Sequence, residues 1–213
     1  MEAVHNLCRR IQIISQQAPA QQATLIGISG IDASGKGYFS RLLADELTRQ
    51  RLRVALINVD HWVTLPSQRF SQTEPAGHFY EHGLRLDAMW KEVVLPLRQN
   101  RSIHCSINAC DATNAERYLP MRFDYEDINV ILLEGIFLFK KQYQERFDLK
   151  VWIECSFKTA MRRAIRRNQE QMPESEIRQD YEVIYYPAQR LHFEKDYPQT
   201  CADVTIRNDD QIG

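Results

Sequence analysis

Residues 30–37, with the sequence GIDASGKG, constrain the fold of this chain more than any other segment. They follow the pattern GxxxxGK, in which small residues allow consecutive backbone N–H groups to turn inward around phosphate oxygens. The Lys of the pattern, here Lys36, reaches the outer phosphates. Such a loop lies between a strand and a helix, because the helix N-terminus favours negative charge. The segment therefore predicts a strand, a phosphate-binding loop and a helix in succession.

The flanking residues fit this arrangement. Residues 23–28, ATLIGI, form the short apolar run of a buried strand, and apolar residues recur at helical spacing over residues 39–47. This context makes a chance match to GxxxxGK the minority interpretation. We therefore predict that the loop binds a nucleoside triphosphate. The residues expected to contact it are Gly30, Asp32, Ala33, Ser34, Gly35, Lys36, Gly37 and Tyr38.

The last position of the loop departs from the usual pattern, because Gly37 replaces the Ser or Thr whose hydroxyl binds Mg²⁺. Ser34 and Ser40 lie nearby in sequence, but neither occupies that position. Two interpretations stay open. A water molecule takes the place of the hydroxyl, or the protein binds the nucleotide without turning it over.

Composition limits the remaining possibilities. A chain of 213 residues with 44% apolar and 26% charged residues is typical of one globular domain, here spanning residues 1–213. The net charge of −1 gives no reason to expect nucleic acid or an anionic membrane as a partner. The five cysteines form no CxxC pair, and the polar N-terminus does not resemble a secretory signal. These features favour a cytoplasmic protein without structural zinc or disulfides.

Apolar runs alternate with helical patterns along the chain. The predicted strands after the loop are residues 53–59, 103–109, 129–133, 149–155 and 203–206, and the predicted helices include 87–99, 159–169 and 175–194. Alternation of this kind predicts an α/β fold with a mostly parallel sheet, helices on both faces and ligands at the carboxyl ends of the strands. An amphipathic helix over residues 3–17, within an extension spanning 1–20, is expected to pack outside the sheet; self-association is its other possible use.

Residues 66–83 form the longest stretch without clear periodicity. They contain two prolines and two glycines, and so predict a loop. Loops of this length in compact domains are usually functional, although an excursion without a role remains the alternative.

Two carboxylates follow predicted strands. Asp60 ends the second strand and Glu134 ends the run ILLEG. At the carboxyl edge of the sheet, Asp60 can accept a proton from a hydroxyl, and Glu134 can hold or orient magnesium. The structural alternatives are a turn cap for Asp60 and a solvated strand boundary for Glu134.

Four arginines share one face of a predicted helix. Arg162, Arg163, Arg166 and Arg167 fall within about 140° at 100° per residue, and small or apolar residues take the opposite face. Guanidinium groups stabilise the charge of a moving phosphoryl group, so the cluster predicts a phosphate lid. The alternative is an ordinary solvated face.

The other polar and aromatic candidates carry weaker signals. The histidines show no spacing typical of a metal site. Five aromatic residues could stack on a nucleobase, although each is more often part of a core. They are Trp62, Phe79, Tyr80, Phe123 and Tyr125.

These segments, in this order, resemble the phosphoribulokinase/uridine kinase family of P-loop kinases, and within it the uridine kinases. The resemblance covers residues 24–208 and rests on GISGIDASGKG, NVDHW, GHFYEHGLRLDAM, VILLEGIFLF, FKTAMRRAIRRN and YYPAQRLHFEKDYPQTCADVTIRND. It implies a P-loop NTPase fold with a short lid over about 158–173. It also implies ATP and Mg²⁺ as cofactors, and phosphorylation of the 5′-hydroxyl of uridine or cytidine.

The resemblance assigns roles to individual residues. Lys36 binds the donor phosphates, and Asp60 accepts the proton of the acceptor hydroxyl. Glu134, together with Asp60, serves the magnesium site, while Arg163 and Arg166 act from the lid. On the acceptor side, the implied residues are Glu81, the adjacent His82 and Asp180.

Departures from the family pattern keep other functions open. Val63 stands where a Tyr often follows the catalytic Asp, and residues 110–114 lack the aromatic residue and His that read the pyrimidine. A sister kinase acting on pantothenate, glycerate or a sugar phosphate is one alternative, and a nucleotide-binding regulator with weak catalysis is another. The expected partner is a nucleoside or other small alcohol, and a homo-oligomer stays open.

Overall fold

The structure, a computed structural model, describes residues 2–111, 116–168 and 172–210. The strands are β1 (Thr24–Gly30), β2 (Val54–Asn58), β3 (Ile103–Cys110), β4 (Tyr118–Tyr125), β5 (Val130–Gly135), β6 (Leu149–Glu154) and β7 (Val204–Arg207). The helices are α1 (Glu2–Gln17), α2 (Lys36–Arg49), α3 (Pro66–Arg69), α4 (Pro75–His82), α5 (Leu86–Met89), α6 (Leu95–Asn100), α7 (Phe157–Arg167), α8 (Glu174–Asp180), α9 (Tyr186–Asp196) and α10 (Pro198–Cys201). A π-helical turn joins α5 to α6, and another joins α8 to α9.

Within the described residues, five strands form one parallel sheet in the order β2-β5-β1-β6-β7. The register sets Glu134 of β5 opposite Ile28 of β1 and Asn58 of β2. The carboxyl ends of these three strands are therefore level, which brings the segments that follow them to one edge. The predicted α/β fold with a parallel sheet is confirmed.

Both faces of this sheet are covered by helices. Val130 and Leu132 of β5 pack in a cluster with residues of α1 and α2, whereas Ile131 and Leu133 pack in a second cluster with residues of α4 to α9. The alternation along β5 explains its unbroken apolar sequence, because each face of the strand is buried. Among the described helices, none is long and apolar enough to cross a membrane.

The prediction that residues 103–109 join the parallel sheet is wrong. β3 instead pairs with β4 in an antiparallel ladder that runs from Ile103–Tyr125 to Cys110–Tyr118. Along β3, the residues exposed to solvent, such as His104 and Ser106, alternate with Ile107 and other residues directed inward. Such alternation is typical of a hairpin with one solvated face, whereas a central parallel strand has two buried faces.

The interpretation of residues 66–83 as a loop is also wrong. They contain the short helix α3 and the two-turn helix α4. Pro66 and Pro75 lie at the first positions of these helices, where proline is favoured because its fixed φ suits the helix and its missing N–H costs nothing. Phe79 and Tyr80 bury the inner face of α4 in the core.

Gly135, directly after Glu134, allows the turn that carries Asp60 to pack against the end of β5. A Cβ at Gly135 would lie 1.9 Å from Cγ1 of Val59, so Gly135→Ala should lower the free energy of unfolding by about 3 kcal/mol through overpacking. Gly77→Ala is the control, because a Cβ there meets only Oε2 of Glu74 at 3.6 Å inside a helix. Chemical denaturation would contradict the prediction if both variants were as stable as the wild type.

Candidate active site

The phosphate loop has a backbone that only glycine fits at one position. Gly35 has a φ of 91°, and a Cβ there would lie 2.3 Å from Nδ2 of Asn208. Helix α2 begins at Lys36, directly after Gly35, and no side chain caps its N-terminus. Its first backbone N–H groups are therefore available to an anion.

Two side chains from distant parts of the chain hold the loop through one carbonyl oxygen. The Ser34 carbonyl accepts hydrogen bonds from Nδ2 of Asn208 at 2.7 Å and from Nη1 of Arg163 at 3.2 Å. Nη2 of Arg163 also donates to Oδ1 of Asp210 at 2.7 Å. The loop is thus fixed to α7 and to the segment after β7.

A cavity of about 510 Å³ opens above the loop, and we call it the phosphate-loop cavity. Its lining includes Lys36, Asp60, Glu134, Arg163 and Arg166, so it brings together the predicted catalytic and magnesium-binding side chains. The other lining residues are Asp32, Ala33, Gly35, Gly37, Tyr38, Arg41, Asn58 and Arg167. The lysine and arginines of this lining can bind a polyanion, and its carboxylates can accept a proton.

Asp60 reaches this cavity from a 3₁₀ turn, Val59–Trp62, that directly follows β2. Oδ1 of Asn58 accepts a hydrogen bond from the Asp60 backbone N–H at 2.7 Å and so caps the turn. The cap comes from Asn58, which leaves the Asp60 carboxylate exposed at the cavity. The side chain that caps this turn is therefore that of Asn58 and not that of Asp60.

Glu134 is buried at the floor of the cavity and only 6% exposed. Burial raises its pKa above the ordinary value; Lys36 opposes this shift, whereas the nearby Asp60 adds to it. Among the described groups, Oε2 of Glu134 has no hydrogen-bond partner. A buried carboxylate oxygen without a partner fits a bound cation.

The donor set is that of a hard divalent cation such as Mg²⁺. In the described part of the chain, no group of three or more His, Cys, Asp or Glu side chains could hold a metal by itself. Mg²⁺ commonly uses one or two carboxylates and completes its shell with phosphates and water. Glu134 and Asp60 fit that requirement.

The two serines near Gly37 do not replace the missing hydroxyl. Ser40 is fully buried and donates from Oγ to the carbonyl oxygen of Lys36 at 2.8 Å. Ser34 is also fully buried, and its Oγ lies 2.8 Å from the position that a Cβ on Gly30 would occupy. Its side chain therefore lies beneath the loop, and within the described residues Ser34 does not line the cavity.

Asp32 connects the phosphate loop to the helices that follow β6. Its carboxylate lies 3.9 Å from Nζ of Lys36 and 3.8 Å from Nη2 of Arg167, and it accepts a hydrogen bond from the hydroxyl of Tyr181. Burial alone would raise the pKa of Asp32, but Lys36, Arg167 and Tyr181 together hold it below the ordinary value. Asp32 is therefore charged and links the loop to α7 and to the helical segment after α8.

The arginine cluster is smaller at the cavity than predicted. Arg163, Arg166 and Arg167 line the cavity, but Arg162 is directed to Oδ2 of Asp210 at 2.9 Å and to Oγ1 of Thr159 at 3.2 Å. Ala160 on the opposite face is fully buried. Residues 169–171 of the predicted lid lie outside the described residues.

The predicted acceptor residues lie elsewhere. Glu81 is paired with Nζ of Lys195 at 3.2 Å and with Nζ of Lys140 at 3.7 Å. His82 lies beside it at the end of α4, and Asp180 ends α8. Within the described residues, none of these three predicted side chains lines the phosphate-loop cavity. Glu81 and His82 instead line a neighbouring cavity beside α3 and α4.

Most of the aromatic candidates belong to the core. Trp62, Phe79, Tyr80 and Phe123 are each at most 5% exposed, and the rings of Trp62 and Phe123 stack at 5.5 Å. The hydroxyl of Tyr125 donates to the Leu56 carbonyl oxygen at 3.3 Å. The core interpretation of these residues is the correct one. Residues 112–114 of the segment expected to read a base lie outside the described residues.

Several residues at the site were not predicted from the sequence. Asn208 and Asp210 follow β7 at the same edge as Asp60 and Glu134, so polar residues directly after the last apolar run were a usable signal. Arg41 lies one helical turn after Gly37, which sequence spacing could also have shown. The link between Tyr181 and Asp32 joins residues 149 positions apart and carried no such signal.

Asn208→Ala should weaken ATP binding about fivefold, because the loss of a hydrogen bond of about 1 kcal/mol leaves the Ser34 carbonyl held only by Arg163. The control is Arg207→Ala, which removes an exposed neighbour on β7. Isothermal titration calorimetry measures both. Equal ATP affinity of the Asn208→Ala variant and the wild type would contradict this account of the loop.

Solved structures with this fold cover nearly the whole chain. A possible uridine kinase from Bacillus stearothermophilus aligns with a TM-score of 0.69 at 18% identity over 94% of this chain and 99% of that one. A candidate fructose transport system kinase from Silicibacter sp. TM1040 aligns with a TM-score of 0.70 at 15% identity over 94% and 98%. D-glycerate 3-kinase from Cryptococcus neoformans aligns with a TM-score of 0.69 at 12% identity over 99% and 98%.

The sequence comparisons give no further placement, since no protein-family model and no curated protein matches this chain. The neighbours carry kinase names of the kind that the sequence resemblance implies. Because the identities are low, the likeness establishes the fold. The predicted P-loop fold is confirmed, and the chain has the fold of the P-loop kinases.

Proposed function

We propose that this protein is a kinase that transfers the γ-phosphoryl group of ATP to a hydroxyl group of a small molecule. One observation carries the proposal. A single cavity holds the phosphate loop, an exposed carboxylate, a buried carboxylate without a partner, and arginines from α7. These are the parts that phosphoryl transfer requires.

The donor phosphates would lie over the N-terminus of α2. The backbone N–H groups of the loop and Nζ of Lys36 bind the phosphates, and Arg163 and Arg166 approach from α7. Lys36 is only 12% exposed, so its charge acts close to the phosphates with little screening. Preorganised cations of this kind stabilise charge that develops during transfer.

Asp60 is the group that we assign as the proton acceptor. The acceptor hydroxyl oxygen bonds to the γ-phosphorus, the bond from that phosphorus to the β,γ-bridging oxygen breaks, and the hydroxyl proton passes to the Asp60 carboxylate. The products are a phosphate ester and ADP. Asp60 suits this role because its backbone is fixed by Asn58 while its carboxylate is exposed at the cavity.

Glu134 and Asp60 are the residues that would hold Mg²⁺, and the bound ion would offset negative charge on the β- and γ-phosphates. Asp32, whose carboxylate lies 3.9 Å from Nζ of Lys36, helps fix the lysine at the cavity. The observation that favours a cation here is that Oε2 of Glu134 is buried and has no hydrogen-bond partner among the described residues.

The proposed acceptor is uridine or cytidine, on the strength of the sequence resemblance. A sister kinase acting on glycerate or a sugar is the second candidate, because structural neighbours named for glycerate and for fructose align as well as the one named for uridine. An acceptor panel read out by ADP release tests both. It should include uridine, cytidine, pantothenate, glycerate and sugar phosphates, each against a control without acceptor. ADP release only with a non-nucleoside would exclude the uridine assignment.

A nucleotide-binding regulator is less well supported. It would not require an exposed Asp60 and a buried Glu134 that share one cavity with the phosphate loop. Magnesium-dependent nucleotide binding without transfer to any member of the panel would support it over the kinase.

Asp60→Asn should lower kcat by about 10²–10⁴-fold, because the amide cannot accept the proton. ATP affinity should stay largely unchanged, because the loop and Lys36 are intact. Asp45→Asn, at an exposed position of α2, is the control. Steady-state kinetics with the best acceptor measure the effect, and wild-type turnover in the Asp60→Asn variant would remove Asp60 as the base.

Arg166→Ala should lower kcat about 10²-fold, because it removes a guanidinium from the lining of the cavity. Arg162→Ala is a matched control on the same helix, since its guanidinium bonds to Asp210 and Thr159. The comparison of kcat and KM for the two variants measures the difference. Equal losses would mean that the face of α7 acts only through its total charge.

A further inference from the structure

Arg41 is a cavity-lining arginine to which the proposed mechanism gives no role. We propose that its guanidinium binds the donor phosphates from the side on which a Ser or Thr at position 37 would hold the metal, and that it compensates for the hydroxyl that Gly37 lacks. The proposal rests on the proposed function in that it takes ATP as the donor.

Helix geometry places Arg41 beside position 37. The two residues are four apart on α2 and so lie on one face, one turn from each other. Side chains on a helix lean toward its N-terminus, which directs Arg41 along the helix toward Gly37 and the cavity. Because Gly37 has no side chain, nothing at that position obstructs the guanidinium.

The distances around Gly37 show that Arg41 and Glu134 both lie close to it. A Cβ at Gly37 would lie 3.9 Å from Nη1 of Arg41 and 3.5 Å from Oε1 of Glu134. The guanidinium and the carboxylate thus flank the space in which a Ser or Thr side chain would stand. Both contacts are of ordinary van der Waals length, so this space also admits a small side chain.

The guanidinium of Arg41 is available to a ligand. In the described part of the chain, Arg163 is paired with Asp210 and Arg167 with Asp32, whereas Arg41 makes no hydrogen bond or ion pair, although its charge acts on the nearby Glu134. Arg41 is exposed to solvent and lines the phosphate-loop cavity. A guanidinium carries five N–H donors in a planar fork that matches phosphate oxygens.

A guanidinium from position 41 would act on the phosphates differently from a hydroxyl at position 37. A Ser or Thr hydroxyl is neutral and acts on the phosphates only through the metal, whereas a guanidinium carries its own positive charge. ATP binding should therefore depend less on Mg²⁺ in this protein than it would without Arg41. This effect belongs to the pair of residues at positions 37 and 41, so the two positions should be energetically coupled.

Titration calorimetry of ATP, with Mg²⁺ and with EDTA, tests the assignment. Arg41→Ala should weaken ATP binding about tenfold in EDTA and less in Mg²⁺, because a charge-assisted contact to phosphate is lost. Arg41→Lys should retain most of the affinity. Arg49→Ala, which removes an arginine paired with Glu46 at the other end of α2, is the matched control. Wild-type affinity of Arg41→Ala in EDTA, or an equal loss in Arg49→Ala, would overturn the proposal.

The compensation is tested by adding the hydroxyl. Gly37→Ser should be tolerated and should bind ATP more tightly in Mg²⁺. In the Gly37→Ser/Arg41→Ala double variant, the loss caused by removing Arg41 should be smaller than in the wild-type background when Mg²⁺ is present. Strictly additive effects, or collapse of binding in Gly37→Ser, would overturn the compensation.

The same preparations separate this proposal from the proposed function. If ATP binding shows the expected dependence on Arg41 but the acceptor panel shows no transfer, the kinase assignment fails and the role of Arg41 stands. If transfer occurs and Arg41→Ala binds ATP normally in EDTA, the kinase assignment stands and Arg41 has no phosphate contact.

Discussion

The parallel alignment of β2, β5 and β1 is the constraint on which the site depends. It sets Glu134 level with both Asn58 and Ile28, so the segments after all three strands converge at one edge. Gly135 is part of this constraint, because only a residue without Cβ lets Val59 pack against the end of β5. The short turn that this contact permits carries Asp60 to the cavity. The positions of Glu134, Asp60 and the phosphate loop relative to one another are therefore set by backbone pairing.

The charges at this edge favour an anionic ligand. Five cationic side chains line the phosphate-loop cavity against three carboxylates. Asp32 lies near Lys36 and Arg167, and Asp210, which is outside the lining, pairs with Arg163. Among the described residues, Arg41 and Arg166 form no ion pair, so the lining keeps an excess of positive charge. The triphosphate of the proposed donor would supply negative charge here, and a neutral acceptor would add no repulsion.

Residues that act through local sequence could be predicted, whereas residues that act through packing could not. The loop, Asp60 and Glu134 were predictable because each follows an apolar run whose parallel pairing is common to α/β folds. The hairpin of β3 and β4 was missed because its apolar residues alternate, and α4 because its proline suggested a loop. The hydrogen bonds that fix Ser34 come from Arg163 and Asn208, more than a hundred residues away. Their contact depends on the order of β6 and β7 in the sheet, which periodicity does not encode.

Glu81, which the sequence resemblance assigns to acceptor binding, is held by contacts that lie outside the sheet. Glu81 lies on α4 and is held by Lys195 of α9 and by Lys140, which is only 12% exposed and also donates to the Tyr80 carbonyl oxygen. A hydroxyl that binds Glu81 would therefore share a carboxylate that two ammonium groups already approach. The phosphate-loop cavity is built on the sheet edge, whereas Glu81 is held by contacts among α4, α9 and the segment between β5 and β6. Side chains on helices can change without altering the sheet edge, so one fold can carry sites for different small molecules.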